Sequence, residues 1–265
     1  LPKYRLVVYQ SAYDGLLEGS LGTSEKYQDP VFSIILSKMP VAIYFGLLTA
    51  IITYGISVPL GILKAVRHRG WIDNASSVAM LFGYAVPGYA LGSILLVYLG
   101  AKWGLLPIRG LTGDDFATMA PWDKFKDLAA HTVMPLLCYL VGSFAFLTML
   151  VKNNLMDTLA ADYVRTAMAK GVSYPSAVFR HAFRNSLIPL ASTCGDLVLI
   201  LVGGSVLVEK VFDIDGFGLL SLSSVAEYDR TMIMGVVVVS SFLTLLGNVV
   251  SDLAVALVDP KVSYN

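Results

Sequence analysis

Tyr163-Val164-Arg165-Thr166-Ala167-Met168-Ala169-Lys170-Gly171, followed by Arg180-His181-Ala182-Phe183-Arg184-Asn185-Ser186-Leu187-Ile188-Pro189, is a basic, helix-forming stretch set between long apolar runs. From Thr158 to Lys170 the apolar positions Leu159, Tyr163, Val164, Ala167 and Met168 share one helical face, while Asp162, Arg165, Thr166 and Lys170 lie off it. The pattern predicts a short amphipathic helix over 158–170. Asp157 is its expected N-cap, Lys170 suits the negative C-terminal end, and Gly171 supplies a left-handed stop. Ser173 is placed to cap a second helix with Pro175 in its first turn, running through Arg180, His181 and Arg184 into the next apolar run. Two physical readings stand: a basic helix resting on anionic lipid headgroups, or a docking knob for a cytoplasmic partner.

Working outward, the chain is 56% hydrophobic and 14% charged, with a mean hydropathy of +0.69. Soluble domains carry roughly a quarter charged residues, so this is an integral membrane protein. Five apolar runs are long enough to cross about 30 Å of hydrocarbon as helices. They are Val41–Leu63, Ala75–Gly100, Thr132–Val151, Leu187–Val208 and Thr231–Leu257. Period-two alternation is missing, which argues against a β-barrel and for an all-α integral membrane bundle. The expected organisation is an external N-terminal segment over 1–40 and a transmembrane core over 41–265, with a cytoplasmic loop at 152–186.

Consecutive spans alternate sides, which sorts the loops into two sets. Lys64–Asn74, Lys152–Ser186 and the tail from Val258 hold nine Lys/Arg in 54 residues, whereas the first 40 residues, Ala101–His131 and Glu209–Arg230 hold ten in 93. The denser set belongs on the cytoplasmic side. The first residue is then outside and the last inside, a parity that fits one further helix upstream of Leu1. No signal-peptide pattern is visible in the opening residues.

The spans carry polar groups at helical spacing. Thr49, Thr53 and Ser57 fall on one face of the first, and Ser241, Thr244, Asn248 and Asp252 on one face of the last. Asp196 lies inside the fourth span, where an ionised side chain costs roughly 2.5–3.5 kcal/mol on insertion scales. It reads either as a pathway residue or as a hydrogen-bonding anchor between helices. Pro87-Gly88 interrupts the second span, with Gly83 and Gly92 nearby, and predicts a bent helix packed closely on a neighbour.

Several chemistries are excluded. The chain has no GxxxxGK[ST] phosphate loop, so any ATP must bind another subunit. His68, His131 and His181 have no metal-ligand spacing, and Cys138 and Cys194 sit in apolar spans as small hydrophobes. No nucleophile-base pair and no cofactor motif is present, so the chain is not expected to be an enzyme.

The string Tyr163 to Gly171, with Arg180-His181 and Arg184-Asn185-Ser186-Leu187-Ile188-Pro189, resembles the coupling loop of ATP-binding-cassette importer permeases in the dipeptide and oligopeptide branch. The family's Glu-Ala-Ala motif, three residues and then Gly, is represented by Arg165-Thr166-Ala167 and Gly171. The first glutamate is absent, as is usual in the peptide branch. Further segments match in order. Gly19-Ser20-Leu21-Gly22-Thr23-Ser24 resembles the family's external Gly-Asp-Leu-Gly segment, and Ser57-Val58-Pro59-Leu60-Gly61 the end of its first core helix. Glu209-Lys210-Val211-Phe212 with Gly216-Phe217-Gly218 resembles its external turn, and Leu257-Val258-Asp259-Pro260-Lys261 its C-terminus. Leu105–Leu111 and Leu147–Asn153 are most similar to B-type permeases of microcin C and oligopeptide uptake systems. Glu227-Tyr228-Asp229-Arg230-Thr231 departs from the family's Arg-Asp-Tyr-Pro.

The resemblance implies a multi-pass permease of the bacterial inner membrane, built as a bundle of five spans with one N-terminal helix preceding them. The implied partners are a second homologous permease subunit, two ATPase subunits, an external solute-binding protein, a peptide-like substrate and membrane lipid; nucleic acid is not among them. Asp162, Arg165, Thr166, Ala167, Lys170, Gly171, Arg180, His181, Arg184 and Asn185 are then the expected ATPase-coupling residues. Thr49, Thr53, Tyr84, Asp196 and Asn248 are the expected pathway residues. The competing reading is a self-sufficient channel or ion-coupled secondary transporter, which would need mid-membrane ion ligands on paired broken helices.

Overall fold

The computed structural model describes residues 15, 18–68, 70–196, 198 and 205–259. The first helix, α1 (Val31–Val66), follows Pro30. Its buried stripe of Ala42, Phe45, Thr49, Thr53, Ser57, Gly61 and Lys64 recurs at three- and four-residue steps. That stripe faces α4 (Pro121–Leu159). Tyr44 Oη bonds Thr132 Oγ1 at 2.8 Å and Ser57 Oγ donates to Phe144 O at 3.2 Å. A Cβ on Gly61 would stand 2.7 Å from Val151 Cβ and 2.9 Å from Thr148 O. Contacts that advance together along both helices mean that α1 and α4 run parallel, as the first and third spans of an alternating bundle must. Small side chains on the α1 stripe are what allow this close approach.

The second span is broken, as Pro87-Gly88 predicts. Helix α2 (Trp71–Ala85) ends at Val86-Pro87, both extended, and α3 (Gly88–Leu95) continues into a π turn at Leu96–Lys102. The two arms are bent by 90°. A Cβ on Gly88 would lie 2.6 Å from Cys138 O, so the start of α3 is pressed onto the α4 backbone.

After α4 come α5 (Asp162–Ala169), α6 (Tyr174–Ser176), a π turn at Ala177–Ala182, α7 (Phe183–Ser186) and α8 (Ile188–Ser192). Helix α9 (Val206–Phe212), α10 (Phe217–Ala226) and α11 (Arg230–Val258) complete the described chain. Gly195 and Gly247 meet backbone to backbone, a Cβ on Gly195 falling 2.4 Å from Gly247 O. Ser251 Oγ donates to Ser192 O at 2.5 Å, so α11 crosses the segment after α8 in the antiparallel sense.

Three single helices, α1, α4 and α11, are long and apolar enough to span, and the α2–α3 pair makes a fourth when counted as one bent span. The fifth expected span, Leu187–Val208, lies partly outside the described residues. Boundaries moved where the apolar run was only the middle of a longer helix: α1 begins at Val31 rather than Val41, so the last part of the 1–40 segment is helical, and α4 extends past both edges of Thr132–Val151. The helix expected over 158–170 is shorter. The apolar stripe Leu147, Val151, Leu155 and Leu159 keeps α4 helical through Asp157 and Thr158, and the turn falls at Ala160-Ala161. Ala161, not Asp157, is therefore the N-cap of α5.

Candidate functional site

The basic loop folds into an anchored knob. Val164 is fully buried, in one cluster with Ala65 of α1, Leu155 of α4 and Ala177, Val178 and Ala182 of the following π turn. Leu159, Met168, Val172 and Phe183 pack around them. Helix α5 thus buries its apolar side in a cluster shared with the C-terminal parts of α1 and α4 and with the following π turn.

Its termini follow local chemistry. Asp162 in the first turn complements the positive end of the helix dipole. Gly171 has φ +93°, as expected, and its N–H donates to Met168 O at 2.9 Å while Val172 N–H reaches Ala167 O at 3.2 Å. This is a Schellman stop, with Val172 packed back against Met168's side of the cluster. Ser173 and Pro175 open the next helix where expected, though the Ser173 side chain makes no capping bond.

The opposite side is left to solvent. Asp162, Arg165, Thr166, Lys170 and Gly171 are exposed and Ala167 is half-buried; Arg180, Arg184 and Asn185 are exposed and His181 half-buried. Asn185 Nδ2 donates to Tyr163 Oη at 2.9 Å, and Tyr163 Oη donates to His181 O at 3.4 Å, which ties α5 to the segment after it. Of the ten residues expected to couple, eight are exposed and Ala167 and His181 are half-buried, and the Tyr163–Asn185 bond joins the two segments that carry them.

Beside the knob lies a group that sequence reading missed. Lys64 Nζ, fully buried, donates to Asp73 O at 2.9 Å, Ser76 Oγ at 2.6 Å and Ser77 Oγ at 2.9 Å. Asp73 Oδ1 also takes Lys152 Nζ at 2.6 Å, and His68 Nδ1 stands 3.3 Å from Oδ2. The cluster joins the C-terminal parts of α1 and α4 to the first turn of α2. Its signal in the sequence was an acid at the start of one span between lysines closing two others.

Thr49, Thr53 and Asp196 do come together. They line a cavity of about 170 Å³ with Tyr54, Ser143 and Thr193. The Thr49 and Thr53 hydroxyls are buried and make no hydrogen bond among the described residues. Tyr84 lines a separate cavity of about 350 Å³ with Met149 and Asn153. Asn248 lies on the exposed side of α11, away from both. Ser241 and Thr244 of its stripe donate to the carbonyls of Val237 and Ser240 in their own helix.

Away from the knob, Glu209 is buried and accepts Leu219 N–H at 2.7 Å. Burial raises its pKa to about 7, against the backbone N–H groups of Leu219, Gly218 and Ser205 and the Tyr139 hydroxyl, which pull it down. A Cβ on Gly216 would stand 2.6 Å from Glu209 Oε2, which explains why glycine follows this glutamate in the turn. Asp229 caps α11 through Met232 N at 3.0 Å and accepts Ser24 Oγ at 2.5 Å. The turn that departs from the family pattern thus clasps the segment before α1.

Comparison with known proteins places these features in a family. The profile of the binding-protein-dependent transport system inner membrane component matches residues 57–264. The inner membrane ABC transporter permease protein YejB of Escherichia coli O157:H7 is 35% identical over 237 residues, covering 88% of this chain and 65% of that protein. The oligopeptide transport system permease protein AppB of Bacillus subtilis is 31% identical over 264 residues, covering 99% of this chain and 81% of that protein. This chain therefore spans about two thirds of the length of YejB. Among solved structures, an inward-facing MetNI methionine ABC transporter shares the fold, with a TM-score of 0.63 at 18% identity over 86% of this chain and 97% of that one. The chain belongs to the family of binding-protein-dependent transport system inner membrane components.

Proposed function

We propose that this chain is the permease subunit of an ATP-driven importer for peptides or peptide-like compounds in the bacterial inner membrane. It pairs with a second homologous permease subunit, takes substrate from an external solute-binding protein, and is driven by two ATPase subunits that carry out the hydrolysis. The peptide class rests on the names of the relatives at 31–35% identity.

The observation that carries the reading is the two-sided build of α5. Val164 fixes it to the C-terminal parts of α1 and α4, while Arg165, Thr166 and Lys170 face outward. An ATPase subunit that closes on ATP and grips the outward side moves α5. Because α5 is packed on both parallel helices, the motion passes to them together and rocks the bundle between inward-open and outward-open states. No covalent step occurs in this chain.

The test is charge reversal at Arg165 and Lys170 together, with the transporter purified in its assembled form. The expected result is loss of ATPase subunit association and of ATP-driven uptake. Retention of both would sink the coupling role of α5.

A further inference from the structure

The cavity between α1, α4 and the segment after α8 is lined by hydroxyl groups and one carboxyl group. Thr49 and Thr53 stand in the middle third of α1 (Val31–Val66), roughly 20–33 Å from its ends at 1.5 Å per residue, which sets the cavity well away from both ends of the helix. Its volume of about 170 Å³ is well beyond the roughly 10–15 Å³ that admits one water.

The hydrogen-bonding inventory of its wall is lopsided. Thr193 Oγ1 donates to Leu190 O at 2.8 Å, so in its 2.8 Å contact with Tyr54 Oη the tyrosine is the donor. Ser143 Oγ donates to Tyr139 O at 3.4 Å. The protons of these three hydroxyls are committed, and what remains to a guest is oxygen lone pairs. Thr49 and Thr53 are 1% and 4% exposed, and their hydroxyls make no bond among the described residues. A buried hydroxyl left unpaired costs about 1–3 kcal/mol, which either threonine recovers by turning its hydroxyl about the Cα–Cβ bond to meet a guest in the cavity. Asp196 supplies the one carboxyl group among the described lining residues. Among the described residues the wall holds five hydroxyl oxygens, a carboxylate and no cation, which matches a group that donates several hydrogen bonds and carries positive charge.

We propose that this cavity is a transit subsite for the ammonium group of a peptide-like substrate, with Asp196 as its counter-charge and Thr49, Thr53 and Tyr54 as its hydrogen-bonding wall. The subsite rests on the importer reading above. A primary ammonium is compact and has three donors, which suits a small acceptor-lined space; a carboxylate end would meet Asp196 repulsively and pass elsewhere. The subsite pairs the amino end of the substrate with a carboxylate and so lowers the cost of carrying that charge across the bilayer.

The test is ATP-driven uptake by the assembled transporter in proteoliposomes, comparing a tripeptide with a free amino end and its N-acetylated form. The solute-binding protein is common to all variants, so its own preference cancels when each is referred to wild type. Asp196→Asn is expected to lower uptake of the free-amine peptide about tenfold and to change the N-acetylated form by less than about twofold, with Asp196→Glu restoring the preference. Equal loss for both forms, or no loss for either, overturns the subsite while wild-type uptake keeps the importer reading intact. Absence of ATP-driven uptake by the wild-type complex overturns the importer reading and the subsite with it. A second measurement is independent of transport: a Thr53→Cys thiol, in a background with Cys194→Ser, is expected to react about tenfold faster with 2-aminoethyl methanethiosulfonate than with the 2-sulfonatoethyl reagent, and Asp196→Asn is expected to erase that ratio. A ratio near one with Asp196 in place overturns the proposal.

Discussion

Lys152 Nζ lies 2.6 Å from Asp73 Oδ1, joining the C-terminal part of α4 to the first turn of α2. Lys64 Nζ of α1 reaches the same oxygen at 3.0 Å. The three side chains are 9%, 3% and 0% exposed, so this cluster is shielded from both water and salt. Removing one partner from a buried ionic group typically costs about 3–5 kcal/mol, because the charge left behind has no compensation. Asp73→Ala strands two lysines, whereas Lys152→Met leaves the Lys64–Asp73 pair in place. Thermal unfolding in detergent should therefore rank Asp73→Ala as the more damaging substitution by a clear margin. The reverse order would mean that Asp73 is not the hub of the cluster.

The crossing of α1 on α4 makes a second prediction. Gly61→Ala would set a methyl 2.7 Å from Val151 Cβ and 2.9 Å from the Thr148 carbonyl, so the helices must separate. Overpacking of this kind costs about 1–3 kcal/mol. Adding Val151→Ala removes the side-chain clash but not the one with the carbonyl, so the double variant is expected to regain part of the loss. Strict additivity of the two single effects would show that the helices are not in contact there.

How much of this was legible in the sequence depended on the range of the interaction involved. Gly171 as a left-handed stop, Pro175 in a first helical turn and the break at Pro87-Gly88 are set by neighbours in the chain, and each lies where it was expected. The start of α5 was misplaced because Leu159 fits two periodicities, that of α5 and that of the α4 stripe, and packing on α1 decides between them. Hydropathy marked the greasy middles of α1 and α4 but not their polar ends, which stay helical through tertiary contacts. The meeting of Thr49, Thr53 and Asp196 could be guessed only residue by residue, since their shared cavity arises from three helices. The Asp73 cluster brings together residues 64, 73 and 152, and its one signal, an acid opening a span between lysines that close two others, does not say that the three meet.

Two carboxylates should give opposite responses to pH. Glu209 is held up at about 7 by burial, so its proton stays on in the folded protein after it has left the unfolded chain near the ordinary value of 4.5. The folded state then binds more protons, and stability falls as pH rises from about 4.5 to about 7, by on the order of 3 kcal/mol. For Asp229, burial acts to raise the pKa, but bonds from Ser24, Met232, Glu25 and Lys26 outweigh it and the value lies below the ordinary 3.8. Its contribution is present above that pH and is lost on acidification below it. Glu209→Gln is expected to flatten the pH dependence of thermal stability between pH 5 and 8 while leaving the acid limb unchanged. A profile identical to wild type over that range would place the Glu209 titration elsewhere.

Val164 separates anchoring from docking. It is fully buried against Leu155, Ala177 and Val178, and it does not belong to the outward side that carries Arg165 and Lys170. Val164→Ala removes two methyl groups from the joint, at a cost of about 1.5–3 kcal/mol in lost burial and cavity formation. Within the proposed coupling role, the outward side survives and so does ATPase subunit binding, but force is passed through a loosened contact. ATP-driven uptake is then expected to fall several-fold while ATP hydrolysis and subunit association stay near wild type, which reversal of Arg165 and Lys170 would not reproduce. If association and uptake declined in proportion instead, Val164 would be maintaining the shape of the knob and not its hold on α1 and α4.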